Sequence, residues 1–341
     1  MNFAKNWRGG ERQTIYNCQG FIAENQQVLL LCRQGSVLEA TAISTGIRFK
    51  SFKNIPGLIL FLLLHGHEFE ILHAQTSHIL TYCILTKPFH RRKVLFSRRI
   101  DFVPKGFITQ KKYQLADFRV GVSTAVASIV EQFSQRRTYM ISDIAVAEKL
   151  DKPRALKWLE HKGISRSNKI IGTTSALVQH KDPLTLVNAI ARVAEIKNDF
   201  IFLHFGSGEL TVTVSDRIKE LGLEKTYLLV GFDENVVDFF SIFDIFVMSS
   251  EQEGLGSSVL DAFLYHVPVV STNAGGLSDL LADGKGISCP IHDPEAIATG
   301  IITVMNSNTV VDSTKKAYDF VKANHSMQYI SQRYLDLIRR T

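Results

Sequence analysis

The densest group of chemically capable residues runs from Ser249 to Ser258, SSEQEGLGSS. Gly254 and Gly256 let a ligand approach the backbone closely, and Ser257 and Ser258 are expected to cap a helix continuing through Leu260, Ala262 and Phe263. Open amides at such a helix start favour a phosphate or a sugar oxygen. Glu253 stands just ahead as an acceptor for sugar hydroxyls, and Asp261 follows about two helical turns on. An ordinary capped helix accounts for the serines but not for two glycines among three acids.

Three further segments of the second half invite an anion. Ser271-Thr-Asn-Ala-Gly-Gly276 puts paired glycines after a buried run and before a helix. Gly206-Ser-Gly208 follows an apolar run, although a lone GxG carries little specificity. Lys181, in LVQHKDP, precedes a helix and can pair with a phosphate or remain solvated. In the first half, Trp7-Arg-Gly-Gly-Glu-Arg12 opens an apparent helix with Gly9 and Gly10 at a basic turn. His73 sits at the end of a strand-like run, facing a ligand or serving only the core. Arg98 and Arg99 follow another and resemble an anion clamp, whereas Lys87–Lys93 (KPFHRRK) reads as an exposed basic loop.

These residues need elements to hold them. The second half alternates strand-like runs (169–174, 200–205, 227–230, 244–248, 267–271) with helical patterns, among them Pro183–Ile196 with Leu184, Val187, Ile190, Ala191 and Ala194 on one face. Such repeated units imply a parallel sheet covered by helices, with ligands beyond the carboxyl ends of the strands. The first half offers candidate strands at 28–32, 70–73, 93–97 and 118–122, and residues 134–151 read as a linker. The α/β expectation is thus two doubly wound sheets, Rossmann-like, joined once.

At 341 residues, two domains are the default. Residues 1–163 hold 24 Lys/Arg against 12 Asp/Glu, while residues 164–341 hold 15 against 21. The basic half suits an anionic acceptor or membrane surface, and the acidic half a different partner. Four dispersed cysteines give neither a CxxC pair nor zinc spacing, so a reducing compartment and no structural metal are expected. The chain shows no basic-then-apolar signal peptide. Leu58–Leu64 (LILFLLL) is far below the ~20 residues needed to span a bilayer and reads as a core helix, with a membrane-resting face as the alternative.

Together these features resemble the retaining glycosyltransferases of the GT-B fold, specifically glycosyltransferase family 4. Glu253-Gly-Leu-Gly-Ser-Ser-Val-Leu-Asp261 is similar to that family's E-x7-E motif, followed at matching spacing by Pro268-Val-Val and Gly275-Gly276. Gly206-Ser-Gly208, Gly231-Phe232 and the run 244–250 also fall where the family places them, as do Gly9-Gly10-Glu11 and a terminal helix over 327–340.

The resemblance implies a domain 1–148 for the acceptor, with Gly9, Gly10 and Arg98 as contacts; a domain 149–320 for the nucleotide-sugar; a returning helix in 321–341; and reaction in a cleft between the domains. Glu253 holds the sugar and Asp261 the ribose, while Lys181 and the amides of 255–257 offset the departing diphosphate charge. Gly206, Gly208, Gly231, Phe232, Gly254 and Gly256 complete the donor side. His73 and Arg99 are the first domain's catalytic candidates. No metal or cofactor is implied; the donor is a UDP-, GDP- or ADP-sugar. The expected partners are that donor and a glycan or lipid-linked acceptor, as in lipopolysaccharide or other cell-envelope glycan synthesis. Nucleic acid is not among them. The expected location is the cytoplasm, with peripheral contact at the inner membrane.

Departures from the family pattern are Asp261 in place of Glu, Ala176 in place of an arginine, and Arg99 where many members carry a histidine. An arginine stays protonated and cannot serve as a base. Only five residues precede Asn6, so the first strand is either very short or entered partway, and a missing strand would expose a sheet edge. A nucleotide-sugar 2-epimerase and a non-catalytic nucleotide-sugar or glycan binder are the alternatives.

Overall fold

The computed structural model describes residues 1–4, 9–307 and 310–340. Contacts divide the chain into two compact units. One runs to Ile144 and resumes at Asn324; the other spans Ala145–Ala323.

The second unit is a six-stranded, wholly parallel sheet built from β7 (Lys169–Thr174), β8 (Phe200–Phe205), β9 (Tyr227–Gly231), β10 (Ile245–Met248), β11 (Val269–Thr272) and β12 (Ile287–Cys289). The order β12-β11-β10-β7-β8-β9 reverses direction between β7 and β10. Loops leaving neighbouring strands there diverge to opposite faces, which opens a crevice at the carboxyl edge of the sheet. The strands are nearly continuous apolar runs because helices cover both faces. Helix Pro183–Ala194 buries Leu186, Val187, Ile190 and Val193 against Phe202, Val247 and Ile301 of one core. Asp182 caps it and Pro183 opens it, which fixes its start.

The first unit carries β1 (Leu30–Arg33) paired with β2 (Phe49–Phe52), and a four-stranded parallel sheet of β3 (Ile71–Ala74), β4 (Lys93–Arg98), β5 (Phe118–Gly121) and β6 (Tyr139–Met140). Residues 1–2 stitch the two together. The Met1 amine donates to the His73 carbonyl (2.8 Å), Gln75 N–H to the Met1 carbonyl (3.1 Å) and Asn2 N–H to the Leu31 carbonyl (3.2 Å). The place expected for a first strand is thus filled by two residues with ladder-like hydrogen bonds. The expected helix over 58–64 is Ile55–His65, capped by Asn54, with Leu58, Phe61 and Leu62 buried. The terminal helix, Met327–Arg339, packs on the first helix, Gly9–Ala23, where Phe21 meets Tyr334 edge to face (5.8 Å). A Cβ on Gly20 would fall 2.0 Å from Ser331 Oγ, so glycine is required for that approach.

β2, β6 and β12 lie outside the strands expected from sequence. The stretch read as a linker instead contains the end of helix Thr124–Ser134 and β6. Among the described residues no helix is long and apolar enough to cross a membrane.

Candidate functional site

The loops after β7 and β10 meet at the switch point. Lys181 ends a short 3-10 turn after β7, and its ammonium pairs with Glu253 from the loop after β10. Both side chains are mostly covered, at 19% and 15% exposed, so this pair is shielded more than a surface one. Backbone contacts hold the same two loops. Ser249 Oγ donates to the carbonyls of Lys181 (3.0 Å) and Asp182 (2.9 Å), and Glu251 N–H donates to the His180 carbonyl (3.0 Å). The loop after β11 joins them, since Gly276 N–H donates to the Glu253 carbonyl (2.9 Å).

Helix Ser257–Leu264 starts at Gly256, whose φ of +97° is left-handed, and no side chain caps it. Ser257 and Ser258 are therefore the first two helical residues rather than the caps expected from sequence. Glycine is needed twice over at 256, because a Cβ there would lie 2.5 Å from Leu277. The first N–H groups of this helix have no partner within it and carry the positive end of its dipole. Ser257, Ser258 and Asp261 form its accessible face, while Val259, Leu260, Ala262 and Phe263 are buried. Asp261 thus lies one turn into the helix, on the same face as its open amides.

Gly206 and Gly208 are pinned by sterics. Cβ atoms there would stand 2.1 Å from the Ser175 carbonyl oxygen and 2.2 Å from that of Leu177. The loop after β8 therefore lies against the loop after β7, with Leu177 N–H donating to the Ser207 carbonyl (3.2 Å). His204 supports the arrangement by sharing hydrogen bonds with Tyr227 OH (2.7 Å) and the Ser175 carbonyl (3.0 Å). Burial lowers its pKa to about 4. Gly231 (φ +86°) ends β9, and the Phe232 ring beyond it is 70% exposed. Every donor-side residue named from the sequence therefore stands at the carboxyl edge of this one sheet or just beyond it. Gly254, Leu255 and Gly256 are buried between Glu253 and the helix.

Sequence reasoning missed three members, Asp182, Glu251 and His292. Asp182 caps its helix with one carboxylate oxygen and binds His292 Nδ1 (2.7 Å) with the other. Glu251 lies 3.9 Å from His292 Nε2. His292 also has positive φ (+59°), just ahead of the Asp293-Pro294 helix start. No periodicity signals a contact 110 residues apart in the chain.

In the first unit, β3 and β4 bring His73 and Arg99 together. His73 Nε2 shares a hydrogen bond with Ser97 Oγ (2.8 Å), which contacts Tyr334 OH (3.0 Å). The Gln75 amide nitrogen lies 3.1 Å from the ring, and its oxygen accepts from Arg99 Nη1 (2.6 Å). Arg99 Nε donates to Asp143 (2.9 Å), whereas buried Arg99 Nη2 has no hydrogen-bond partner among the described residues. Burial, then the Met1 amine and Arg99, push the His73 pKa well below its usual value, so the ring is neutral at pH 7. Burial most strongly disfavours the Arg99 cation, but Asp143, Tyr334 and Glu11 together outweigh it and raise its pKa.

Arg98 differs from the expected clamp. It is 5% exposed, and its guanidinium donates to the Ile100 carbonyl (3.0 Å), Tyr113 OH (2.6 Å) and the Phe102 carbonyl. Those donors brace the loop after β4 and are not offered to a ligand. Gly9 is exposed, and no described residue lies within 4 Å of a Cβ placed at Gly10; Trp7 and Arg8 of the same motif lie outside the described residues. Among the described residues no three His, Cys, Asp or Glu side chains are grouped to hold a metal.

The family model described as Glycosyl transferases group 1 matches residues 156–325. The lipopolysaccharide core biosynthesis glycosyltransferase LpsE of Rhizobium meliloti is 26% identical over 171 residues, 50% of this chain and 49% of that protein. The N-acetyl-alpha-D-glucosaminyl L-malate synthase of Bacillus anthracis is 25% identical over 183 residues, 52% and 48%. The chain thus spans about half the length of the curated relatives it matches. Among solved structures, Anabaena HepE in complex with UDP and glucose superposes with TM-score 0.85 at 17% identity, covering 100% of this chain and 98% of that one. A glycosyltransferase from Rickettsia africae gives 0.86 at 18%, covering 99% and 97%. At that identity the likeness speaks for the fold, which is the α/β GT-B type with two Rossmann-like units. Residues 156–325 thus match the glycosyl transferases group 1 family, within a chain that has this fold throughout.

Proposed function

We propose that this protein is a retaining, metal-independent glycosyltransferase that moves a sugar from a nucleotide-sugar to a glycan or lipid-linked acceptor in cell-envelope glycan synthesis. The Lys181–Glu253 pair at the sheet's switch point, beside the uncapped helix start at Gly256, carries the reading. A nucleotide diphosphate fits the open amides of that helix, and Lys181 adds a cation beside Glu253. Glu253 accepts from sugar hydroxyls, Asp261 from the ribose, and the exposed Phe232 ring offers a stacking face for the base. As the glycosidic bond breaks, negative charge grows on the diphosphate. Lys181 and the amides of Leu255–Ser257 stabilise it without a metal.

Retention rests on the resemblance of residues 253–261 to the family motif and needs no covalent nucleophile: the acceptor oxygen attacks the face from which the diphosphate departs. The first unit takes the acceptor. Arg99, held by Asp143 and Gln75 with no partner for Nη2 among the described residues, suits an acceptor phosphate, and neutral His73 lies in the same hydrogen-bonded group. A cytoplasmic enzyme using lipid-linked acceptors fits the basic first half and the lipopolysaccharide core biosynthesis for which LpsE is named.

The test is incubation of the purified protein with UDP-, GDP- and ADP-sugars and lipid-linked acceptors, with product analysis by NMR. Transfer with retained anomeric configuration, insensitive to EDTA, is expected. A sugar altered at C2 and still bound to nucleotide would instead identify an epimerase, and donor binding without turnover a binding protein.

A further inference from the structure

The segment Phe232-Asp-Glu-Asn235 joins β9 to the 3-10 turn Val236–Ser241. Its aromatic side chain, Phe232, is 70% exposed, and Glu234 and Asn235 are polar and exposed as well. Apolar packing therefore does not set the course of this segment, and surface loops of that composition are ordinarily mobile. An arginine from another element removes the freedom.

Arg154 Nη2 donates to both carboxylate oxygens of Asp233 (2.7 and 2.6 Å). Its Nη1 donates to the Asn235 carbonyl (3.0 Å) and to Asp238 (3.1 Å). Asp233 also accepts from the Asn235 N–H (2.8 Å), and Asp238 from the Asp151 N–H (2.8 Å). The guanidinium carbon lies 5.6 Å from the ring centroid of Phe239, which is buried. One planar cation thus grips the residues immediately after Phe232 and ties them to the turn that follows.

That arginine stands where helix electrostatics disfavour it. Asp151 caps helix Lys152–His161, and its carboxylate accepts from the Arg154 N–H three residues on, in the first turn. A cation at the positive end of a helix dipole is unfavourable unless its partners offset it. Here the partners are Asp233 and Asp238, 79 and 84 residues away. β9 lies two strands from β7 in the sheet, about 10 Å at ordinary strand spacing. Phe232 and Lys181 are thus placed for the two ends of one ligand, a base and a diphosphate with the ribose between.

We infer that Arg154 is a positioning residue for donor recognition: its grip on Asp233, Asn235 and Asp238 holds the Phe232 ring as a fixed face for the donor's nucleobase. This rests on the proposed reading of Phe232 as a stacking face and adds the group that preorganises it. A ring fixed beforehand loses little freedom on binding, so Arg154 raises nucleotide affinity without touching the ligand.

The test is calorimetric titration of the full chain with UDP, GDP, ADP and inorganic pyrophosphate, followed by steady-state kinetics with the matching nucleotide-sugar. Pyrophosphate carries the diphosphate charge without a base. Wild-type protein should bind one nucleoside diphosphate about tenfold more tightly than pyrophosphate. Phe232→Ala and Arg154→Met should each weaken that nucleotide about tenfold, a usual loss for one base–aromatic stack, with pyrophosphate affinity held within about twofold. Phe232→Ala/Arg154→Met should bind it no more weakly than Phe232→Ala, because the arginine acts through the ring. Arg154→Lys keeps the charge without the fork and should fall between wild type and Arg154→Met. In the kinetics the loss should appear in donor KM, with kcat little changed. Where Arg154→Met does not fold, Asp233→Asn loosens the same grip and should show the same pattern at smaller size.

Equal losses of nucleotide and pyrophosphate in the Arg154 or Asp233 variants would mark a general fold defect and overturn the inference. Additive losses in the double variant, or a wild type that prefers no nucleoside diphosphate to pyrophosphate, overturn it too. Wild-type protein that shows the expected binding pattern but transfers no sugar upholds the inference and counts against the transferase reading alone. Transfer by Phe232→Ala at the wild-type donor KM overturns the inference and leaves the transferase reading standing.

Discussion

Lys181 and Glu253, 72 residues apart in sequence, form an ion pair where the loops after β7 and β10 converge. Each side chain is mostly covered, so removing one leaves the other charge without its partner in a poorly hydrated place. Lys181→Met and Glu253→Gln are each expected to cost about 1–2 kcal/mol, and the double variant less than their sum. Chemical unfolding of the four proteins measures the coupling. Strict additivity would mean that the two groups do not interact in solution.

The glycines divide into two kinds. Gly206→Ala forces a left-handed residue against the Ser175 carbonyl (φ +135°, 2.1 Å) and should destabilise by about 2–4 kcal/mol. Gly231→Ala meets only the backbone strain, with nothing within 4 Å, and should cost about 1–2 kcal/mol. Melting temperatures of the two variants check the order, and a Gly206→Ala protein as stable as Gly231→Ala would contradict it.

The chain made some of this readable and hid the rest for physical reasons. Long apolar strands such as Phe200–Phe205 announce themselves, and the loops that follow them inherit a place at the carboxyl edge of the sheet. β6 and β12, two and three residues long, offer no run to detect, and β2 (FKSF) is only half-buried. Adjacent arginines at the end of a strand point to opposite faces, so Arg98 turns to Tyr113 while Arg99 meets Asp143. Spacing alone cannot say which of the two is presented. The His292–Asp182 contact depends on how three loops close, which no local pattern records.

That contact has its own consequence. His292 steadies the residue next to Lys181, so His292→Ala should raise the donor KM about fivefold, as expected for losing roughly 1 kcal/mol, with little change in kcat. His292→Gln, which can still donate to Asp182, should recover most of the loss. Steady-state kinetics on both variants decide it; equal defects in the two would show that the hydrogen bond is not what matters.

Acid should weaken the fold through His204. Its folded pKa, about 4, lies below the ordinary value of 6.5, so the unfolded chain takes up the proton first. The contribution is fully present above pH ~6.5 and is lost as pH falls towards 4, by roughly 3 kcal/mol in all. His73, His90 and His325, whose pKa values are also lowered by loss of hydration, add in the same direction. His204→Gln keeps a donor for the Ser175 carbonyl but cannot titrate in this range. Its melting temperature should fall less between pH 6.5 and 4 than that of wild type, and parallel curves would contradict the assignment.

The most direct measurement is nucleotide release from a panel of UDP-, GDP- and ADP-sugars in the presence of lipid-linked acceptors, comparing wild type with Glu253→Gln. The account predicts release by wild type from at least one donor, reduced at least 100-fold in Glu253→Gln, in line with the cost of removing a group that stabilises the transition state. Turnover by Glu253→Gln at the wild-type rate, with the fold intact, would contradict it.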